Sequence, residues 1–379
     1  MIYLDNAATT LKKPRGVKRA TAKSYANAGR GGHKLAFDAS MEILECREAL
    51  AELFTILDPS RIAFTANTTQ ALNYAIKGVI RKGDHTIISS MEHNSVARPA
   101  FSFEDGFAEV SIAEADSNGL VTLESIEREI RTNTRLIAIL HASNVCGTIN
   151  PIEEIGALAS DNGILFLVDA AQSAGILPIN VLDAHIDLLA FAGHKALFGP
   201  QGTGGLYVRS GVDLMPIIQG GTGSMSESMQ QPSFMPDLLE SGTLNTAGIA
   251  GLHEGVKFIK QIGLERIREH EEDLTKRIIE AFMNMKSVTV YGEKDAKKQT
   301  GVVGFNVEGH DCVEVANLLS ARYNIATRAG FHCAPLAHHT LGTETCGMVR
   351  ASVSWFTTRR DVEKLIDSIF RIASNHHYL

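Results

Sequence analysis

The chain has 379 residues, of which 44% are hydrophobic and 21% are charged, so it is long enough for more than one core and typical of a soluble globular protein. The formal net charge is -7 and no block of lysine or arginine occurs, which gives no indication of binding to nucleic acid or to an acidic membrane surface. We expect neither a membrane span nor a signal peptide, because no apolar run is long enough and an acid, Asp5, comes almost at once.

Short apolar runs alternate with helical patterns through the first half of the chain. The runs that predict buried strands are Arg61–Thr65, Thr86–Ser90, Leu136–Leu140, Ile164–Val168, Leu188–Phe191 and, after a glycine-rich turn, Leu206–Val208. The helical patterns are Met41–Phe54, Gln70–Ile80, Leu123–Arg131 and Ile152–Asp161. This alternation predicts βαβ units and an α/β fold with a mainly parallel sheet flanked by helices.

The second half of the chain has a different organisation. Periodicity is lost from Gln219 to Thr246, which predicts a long loop, and helical patterns then run from Thr246 to Met285. A smaller α+β domain is predicted by strands at Val288–Tyr291 and Gly301–Val307 and by helices at Cys312–Tyr323 and Asp361–Ser374. We therefore expect a large domain over residues 1–255 and linking helices with a small domain over 256–379, about the first 15 residues being free to pack on the small domain.

Two of the predicted strands are followed by side chains that suit one cofactor. Asp169 and Gln172 follow one apolar run, and Lys195 follows another. Open α/β sheets bind ligands beyond the carboxyl ends of their strands. An amine that forms a Schiff base and a carboxylate that keeps a pyridine nitrogen protonated are what pyridoxal 5'-phosphate (PLP) requires. For each residue considered alone there is another explanation: Lys195 as a solvated loop charge, and Asp169 as a helix cap.

A series of segments along nearly the whole chain resembles the class V aminotransferase family, fold type I, and within it the cysteine desulfurases. The segments are Leu4–Thr10, Gly29–His33, Thr65–Asn73, Met91–Asn94, Ser143–Gly147, Asp169–Gln172, Gly193–Lys195, Glu240–Asn245, Arg328–Ala334 and Val349–Ser352. The resemblance implies a PLP-dependent transferase whose large domain has a mainly parallel sheet flanked by helices and whose small C-terminal domain is α+β.

The resemblance assigns the cofactor phosphate to Thr68, Thr69 and His194. Thr68 and Thr69 precede a predicted helix, whose N-terminal N–H groups can bind an anion, although a plain helix cap is the alternative. By resemblance, Thr243 reaches the phosphate from a neighbouring subunit, which implies a homodimer with shared active sites. The family usually has serine where this chain has Ala192, so one phosphate hydrogen bond, worth about 0.5–1.5 kcal/mol, is missing or replaced.

The resemblance also assigns side chains to the ring of the cofactor. Lys195 holds PLP, Asp169 pairs with the ring nitrogen and Gln172 donates to the phenolic oxygen. His93 stacks on the ring, and Asn144 contacts the cofactor or the substrate carboxylate.

One residue is a candidate for binding the substrate carboxylate. Arg350, in the predicted strand Met348–Ser354, has a guanidinium fork that matches a carboxylate in bidentate geometry. An edge-strand charge is the alternative. His33 and Arg328 resemble further active-site positions of the family.

Cys333 decides which reaction is expected. The five cysteines are scattered and odd in number, which predicts a cytoplasmic chain with reduced thiols. An inert buried cysteine is the general alternative, but His332 and Arg328 nearby favour a thiolate. The segment around Cys333 resembles group II cysteine desulfurases, except that Phe331 stands where they commonly have histidine, so the chain is a candidate for a side branch.

The sequence therefore predicts conversion of L-cysteine to L-alanine. Lys195 removes the α-proton, Cys333 takes the sulfur as a persulfide and passes it to an acceptor protein or a small thiol, and His93 serves in reprotonation. Three alternatives stay open: a selenocysteine lyase, another PLP reaction such as β-elimination or transamination, and a catalytically silent scaffold.

A zinc site was the remaining hypothesis near the C-terminus. Its candidate ligands are His332, Cys333, His338, His339 and Cys346. Their spacing matches no paired-ligand pattern, so we expect no metal.

Overall fold

A computed structural model describes residues 1–28, 31–103 and 106–374. The helices are α1 Arg15–Ala22, α2 Lys34–Leu53, α3 Thr68–Val79, α4 Asn94–Phe101, α5 Leu123–Glu127, α6 Ile152–Asp161, α7 Thr246–Ile262, α8 Leu264–Met283, α9 Cys312–Tyr323, α10 Pro335–Thr340 and α11 Arg359–Ser374. The strands are β1 Ile2–Tyr3, β2 Ile62–Thr65, β3 His85–Ser89, β4 Glu109–Ala113, β5 Thr134–Leu140, β6 Leu165–Asp169, β7 Leu188–Ala192, β8 Gly204–Val208, β9 Val288–Tyr291, β10 Val302–Val307, β11 Ile325–Ala326, β12 Arg328–Gly330 and β13 Met348–Ser352. Within these ranges no helix combines the length and apolar character needed to cross a bilayer.

The main sheet has seven strands in the order β2-β8-β7-β6-β5-β3-β4. Its pairings from β7 to β4 are parallel, and β8 is antiparallel to both of its neighbours. The predicted mainly parallel sheet is therefore confirmed. Because β5, β6 and β7 run side by side in one direction, Leu140 lies beside Asp169 and Asp169 beside Ala190.

Both faces of this sheet are covered, which explains the continuous apolar runs of its strands. Alternate residues of β6 enter different cores: Phe166 and Val168 pack in one, Leu165 and Leu167 in the other. Helices α2, α6 and α7 contribute to the first core, and α3 and α4 contribute to the second.

A second, antiparallel sheet has the order β12-β13-β10-β9 and packs with α8, α9 and α11 around a third core. The N-terminal segment joins this region, since β1 pairs in parallel with β11 and Leu4 is buried in the third core. Asp5 forms a bridge with Ser352 at the end of β13. The first residues of the chain thus lie between the second sheet and the large sheet.

The observed elements differ from the predicted ones in several places, and the short elements α1, α10, β1, β11 and β12 were not predicted. The helical pattern from Thr246 to Met285 is two helices, separated at Gly263, whose φ of 94° is one that a glycine adopts readily. Strand β4 was not predicted because it is only partly buried. Helix α4 was not predicted because it is short and contains Pro99. The segment Gln219–Thr246 contains neither helix nor strand before Thr246, as predicted.

Candidate active site

A cavity lies beyond the carboxyl ends of β5, β6 and β7. Its lining residues come from five separate parts of the chain: Asn67, Thr68, Thr69, His93, Ser95, Leu140, Ala142, Asn144, Asp169, Ala171, Gln172, His194 and Lys195. The cavity therefore brings together all of the predicted cofactor-binding residues except Thr243.

An acid and an amine face this cavity from adjacent strands. Asp169 ends β6, is buried, and accepts a hydrogen bond from the backbone N–H of Ala171 at 2.9 Å. Burial raises the pKa of Asp169 and lowers the pKa of Lys195 to about 8, although the charge of Asp169 partly opposes the change at Lys195. Both shifts favour the uncharged forms, and a positively charged ligand group beside Asp169 would stabilise its carboxylate form.

The N-terminus of α3 forms the anion-binding end of the cavity. Asn67 caps this helix by accepting a hydrogen bond from the backbone N–H of Gln70 at 2.9 Å. Thr68 and Thr69 are the first helical residues, so their N–H groups belong to the unpaired set that can bind a phosphate. Ala192, at the end of β7, is buried and offers no hydroxyl there.

His93 is held in a defined orientation by the start of α4. Its Nδ1 accepts a hydrogen bond from the backbone N–H of Ser95 at 3.0 Å, so in the neutral ring the proton is on Nε2. The hydroxyl of Ser95 joins His93 to Thr69 through contacts of 2.9 and 2.8 Å. Burial, with the positive charges of Lys195 and Arg328, lowers the pKa of His93 to about 4, so the ring is neutral at physiological pH.

Arg350 is fully buried in β13 and is already partly paired. It donates to the carboxylate of Asp5 at 2.8 Å and to the backbone oxygen of Asn144 at 2.9 Å. The amide nitrogen of Asn144 donates to the backbone oxygen of His332 at 2.8 Å. Among the described residues, Nε of Arg350 and Oδ1 of Asn144 are buried without a partner, and such atoms are typical of a site that a ligand completes.

Cys333 lies on the turn between β12 and α10 and is exposed. His332 and Cys333 have φ values of 49° and 59°, a left-handed conformation that is uncommon for residues other than glycine. Arg328 lies 3.4 Å from the sulfur, and the backbone oxygen of Cys333 accepts a hydrogen bond from Asn94 at 2.8 Å. The backbone of Cys333 is therefore tied to α4, the helix that begins after His93.

The side chain of His332 is not exposed, unlike that of its neighbour Cys333. It is buried, and its Nε2 lies 3.0 Å from the backbone oxygen of Met348. Burial and the charge of Arg350 hold its pKa well below the ordinary value. Arg328, rather than His332, is the positive group beside Cys333.

Five predicted site residues do not line the cavity: Arg328, Cys333 and Arg350, described above, and also His33 and Thr243. His33 is exposed and caps α2, its Nδ1 accepting from the backbone N–H of Ala36 at 3.2 Å. Gly29 and Arg30 of the same motif are outside the described residues. Thr243 is exposed beside a separate cavity, which Gln70 and Tyr74 also line.

Several site residues had no predicted role. Asp5 pairs with Arg350, although the sequence offered only its place in the opening motif. Glu92 is fully buried, and its Oε1 accepts from the Ser89 hydroxyl at 2.6 Å and from the Leu140 N–H at 3.0 Å. Burial raises the pKa of Glu92 to about 8, which indicates a neutral acid that joins the ends of β3 and β5. Only its position next to His93 could have suggested it.

Comparisons with known proteins agree with this geometry. The family profile described as "Aminotransferase class-V" matches residues 2–365. A probable cysteine desulfurase of Methanothermobacter thermautotrophicus is 35% identical, over 98% of this chain and 94% of its own. The apo structure of a cysteine desulfurase from Thermococcus onnurineus superposes with a TM-score of 0.90 at 35% identity, covering 98% of this chain and 94% of that one. A cysteine desulfurase of Escherichia coli has a TM-score of 0.86 at 28% identity with the same coverage.

Proposed function

The chain belongs to the class V aminotransferase family, and we propose that it is a PLP-dependent cysteine desulfurase that converts L-cysteine to L-alanine and retains the sulfur on Cys333. One observation carries the proposal. Lys195 and Asp169 line one cavity, and Cys333, whose thiol is exposed, accepts a hydrogen bond at its backbone oxygen from Asn94, the residue after His93 of that cavity. The predicted resemblance and the fold type I architecture are confirmed by the family match and the solved relatives.

The residues present fit PLP. The start of α3 offers N–H groups for a phosphate, Lys195 offers an amine, and Asp169 offers a buried acid for the ring nitrogen. When bound, PLP supplies an electron sink for the carbanion formed at the substrate α-carbon. His93 has its Nε2–H free to face the cavity and Gln172 lines it as well, which supports their roles at the ring.

Binding of the substrate carboxylate falls to Arg350, whose unpaired Nε is a donor near the pocket that holds Lys195, and Arg350 lowers the pKa of that lysine. The unpaired Oδ1 of Asn144 is an acceptor, so it suits a donor group of the cofactor or substrate and not the carboxylate. Asp5 and the backbone of Asn144 fix the guanidinium before a ligand arrives, so less ordering is required on binding.

Proton and sulfur transfer use different side chains. Lys195, with its pKa lowered to about 8, is neutral often enough to take the α-proton of the substrate and to return it. The thiolate of Cys333 attacks the substrate sulfur, the bond from that sulfur to the substrate β-carbon breaks, and the electron pair stays with the carbon skeleton. The β-carbon takes up one proton, equal to the one that Cys333 lost on forming its thiolate, and becomes the methyl group of alanine. His93 is the residue that we propose for this reprotonation. The sulfur remains on Cys333 as a persulfide, and the guanidinium of Arg328 lies 3.4 Å from the Cys333 sulfur.

The persulfide passes to an acceptor protein or a small thiol, for which the exposure of Cys333 is required. We also propose a homodimer in which Thr243 serves the partner's phosphate site. The exposed position of Thr243, away from its own cavity, supports this arrangement. A cytoplasmic location agrees with five free cysteines.

The decisive test is incubation of the purified holoprotein with L-cysteine and a reducing thiol, followed by measurement of alanine, sulfide, pyruvate and ammonia. Equal amounts of alanine and sulfide are expected. Pyruvate with ammonia in place of alanine would establish β-elimination and overturn the proposal. The same assay with L-selenocysteine measures the preference between the two substrates.

A further inference from the structure

The segment from Thr9 to Lys13 surrounds the backbone oxygen and the side chain of His194. The oxygen accepts from the side-chain nitrogen of Lys13 at 2.7 Å and from the backbone N–H of Thr10 at 3.2 Å. The Thr9 hydroxyl lies 3.1 Å from Nδ1 of His194 and 3.3 Å from the same backbone oxygen. Thr10 also donates to the backbone oxygen of Lys195 at 2.8 Å.

These contacts determine which atom accepts the hydrogen bond of the Thr9 hydroxyl. A carbonyl oxygen has two lone pairs, and here Lys13 and Thr10 already occupy both. The charged, shorter Lys13 bond is the stronger of the two. The proton of the Thr9 hydroxyl is therefore left to donate to Nδ1 of His194, which must then be the unprotonated ring nitrogen.

The position of one proton matters because the ring is neutral. Burial and the charges of Lys195 and Lys13 lower the pKa of His194 to about 4. With Nδ1 accepting, the single proton is on Nε2, which has no hydrogen-bond partner among the described residues. His194 lines the cavity near the start of α3, where Ala192 contributes no hydroxyl.

We propose that Thr9 and Lys13 are positioning residues that hold His194 in the Nε2–H tautomer, so that this N–H donates to the phosphate of the cofactor. The phosphate part rests on the proposed function. The tautomer part concerns the protein alone and is measurable without cofactor.

The first experiment is nitrogen-15 NMR of histidine-labelled apoprotein, with the His194 signals assigned by their loss in His194→Gln. The native chain is expected to show the Nε2–H tautomer at neutral pH. Thr9→Val should lose this preference, Thr9→Ser should keep it, and Lys13→Met should weaken it, because a free lone pair on the carbonyl oxygen then competes for the Thr9 proton. Lys12→Met is the matched control, since Lys12 is the exposed neighbour.

The second experiment compares binding of PLP with binding of pyridoxal, which lacks the phosphate. Thr9→Val should weaken PLP about tenfold to hundredfold and leave pyridoxal unchanged, since only the phosphate would lose a donor. Equal weakening of both ligands would indicate a merely structural role and overturn the proposal, as would an Nδ1–H tautomer or a charged ring in the native apoprotein. Failure of the desulfurase proposal would appear in the alanine assay instead and would leave these measurements unaffected.

Discussion

The cofactor cavity and the Cys333 turn are built in opposite ways. Asp169 and His93 project from the ends of buried strands or helix caps, where backbone hydrogen bonds fix them before any ligand arrives. Cys333 is exposed on a turn with two consecutive left-handed residues. A left-handed conformation at residues other than glycine costs free energy, and it is found mainly where function requires the geometry.

The difference teaches which part of the reaction tolerates movement. Proton transfer at the α-carbon requires groups held within a small fraction of a bond length, so burial and rigid elements suit it. A sulfur carrier must first meet the substrate and then meet an acceptor outside the cavity. Exposure on a turn, tethered by Asn94 and Arg328, suits both encounters.

The largest expected effect is that of Lys195→Ala, which removes the amine from the rigid region. Turnover should fall by at least about 10²–10⁴-fold, because the proton-transfer group is lost. The absorbance band of covalently held PLP should disappear as well. Lys12→Ala, at an exposed lysine, is the control. Normal alanine formation by the variant would contradict the role of Lys195.

Cys333→Ala tests the other region by separating sulfur transfer from cofactor chemistry. Alanine and persulfide formation should be lost, whereas PLP absorbance and its change on addition of L-cysteine should persist, since the cavity is untouched. Cys346→Ala, at another exposed cysteine, should behave as the native chain does. Retained alanine formation in Cys333→Ala would indicate a different PLP reaction.

Arg350→Lys measures how much the geometry of the buried guanidinium contributes. Lysine keeps the charge but loses the planar fork, so KM for L-cysteine should rise about tenfold to hundredfold with a smaller change in kcat. Thermal unfolding should be measured in parallel, because the bond to Asp5 is buried on the arginine side. Arg81→Lys, at an exposed ion pair, is the control. An unchanged KM would place the substrate carboxylate elsewhere.

The smallest effect expected is on pH dependence. The neutral amine reacts with the aldehyde of PLP, and burial lowers the pKa of Lys195 from the ordinary 10.5 to about 8. The rate of PLP attachment to apoprotein should therefore rise about tenfold per pH unit below pH 8 and level off above it. The reference is free lysine whose α-amino group is blocked, and the rate at which PLP reacts with its side-chain amine should keep rising toward pH 10. The same continued rise in the protein would show that Lys195 is not desolvated.

The sequence predicted the buried strands beside the cavity and two helices closely. The strands that carry Asp169 and Lys195 were read from apolar runs, because strands buried on both faces need them. Helices α6 and α9 were predicted with their observed bounds. The division at Gly263 was not predicted, because a single glycine inside a continuous helical pattern is compatible with an unbroken helix.

The site residues at the ends of strands and helices were also predictable from the sequence. Thr68, Thr69, His93, Asn144, Asp169, Gln172, His194 and Lys195 share one cavity because each follows or caps an element whose end faces it. The partners of these residues were not predictable: nothing near Asp5 in the sequence points to Arg350, 345 residues away. The roles of all these residues stay predictions, and the side chains of His33 and Thr243 lie outside the cavity of the single chain.

By itself, the sequence determined the class of fold, the position of the acid and the amine at strand ends, and the cysteine that distinguishes the chemistry. These are local properties, because periodicity and motif order are written over a few residues at a time. The tertiary structure alone decided how the N-terminal segment connects Asp5 to Arg350 and Thr9 to His194. Such contacts depend on how packed elements bring distant residues together, and no local pattern of residues encodes that.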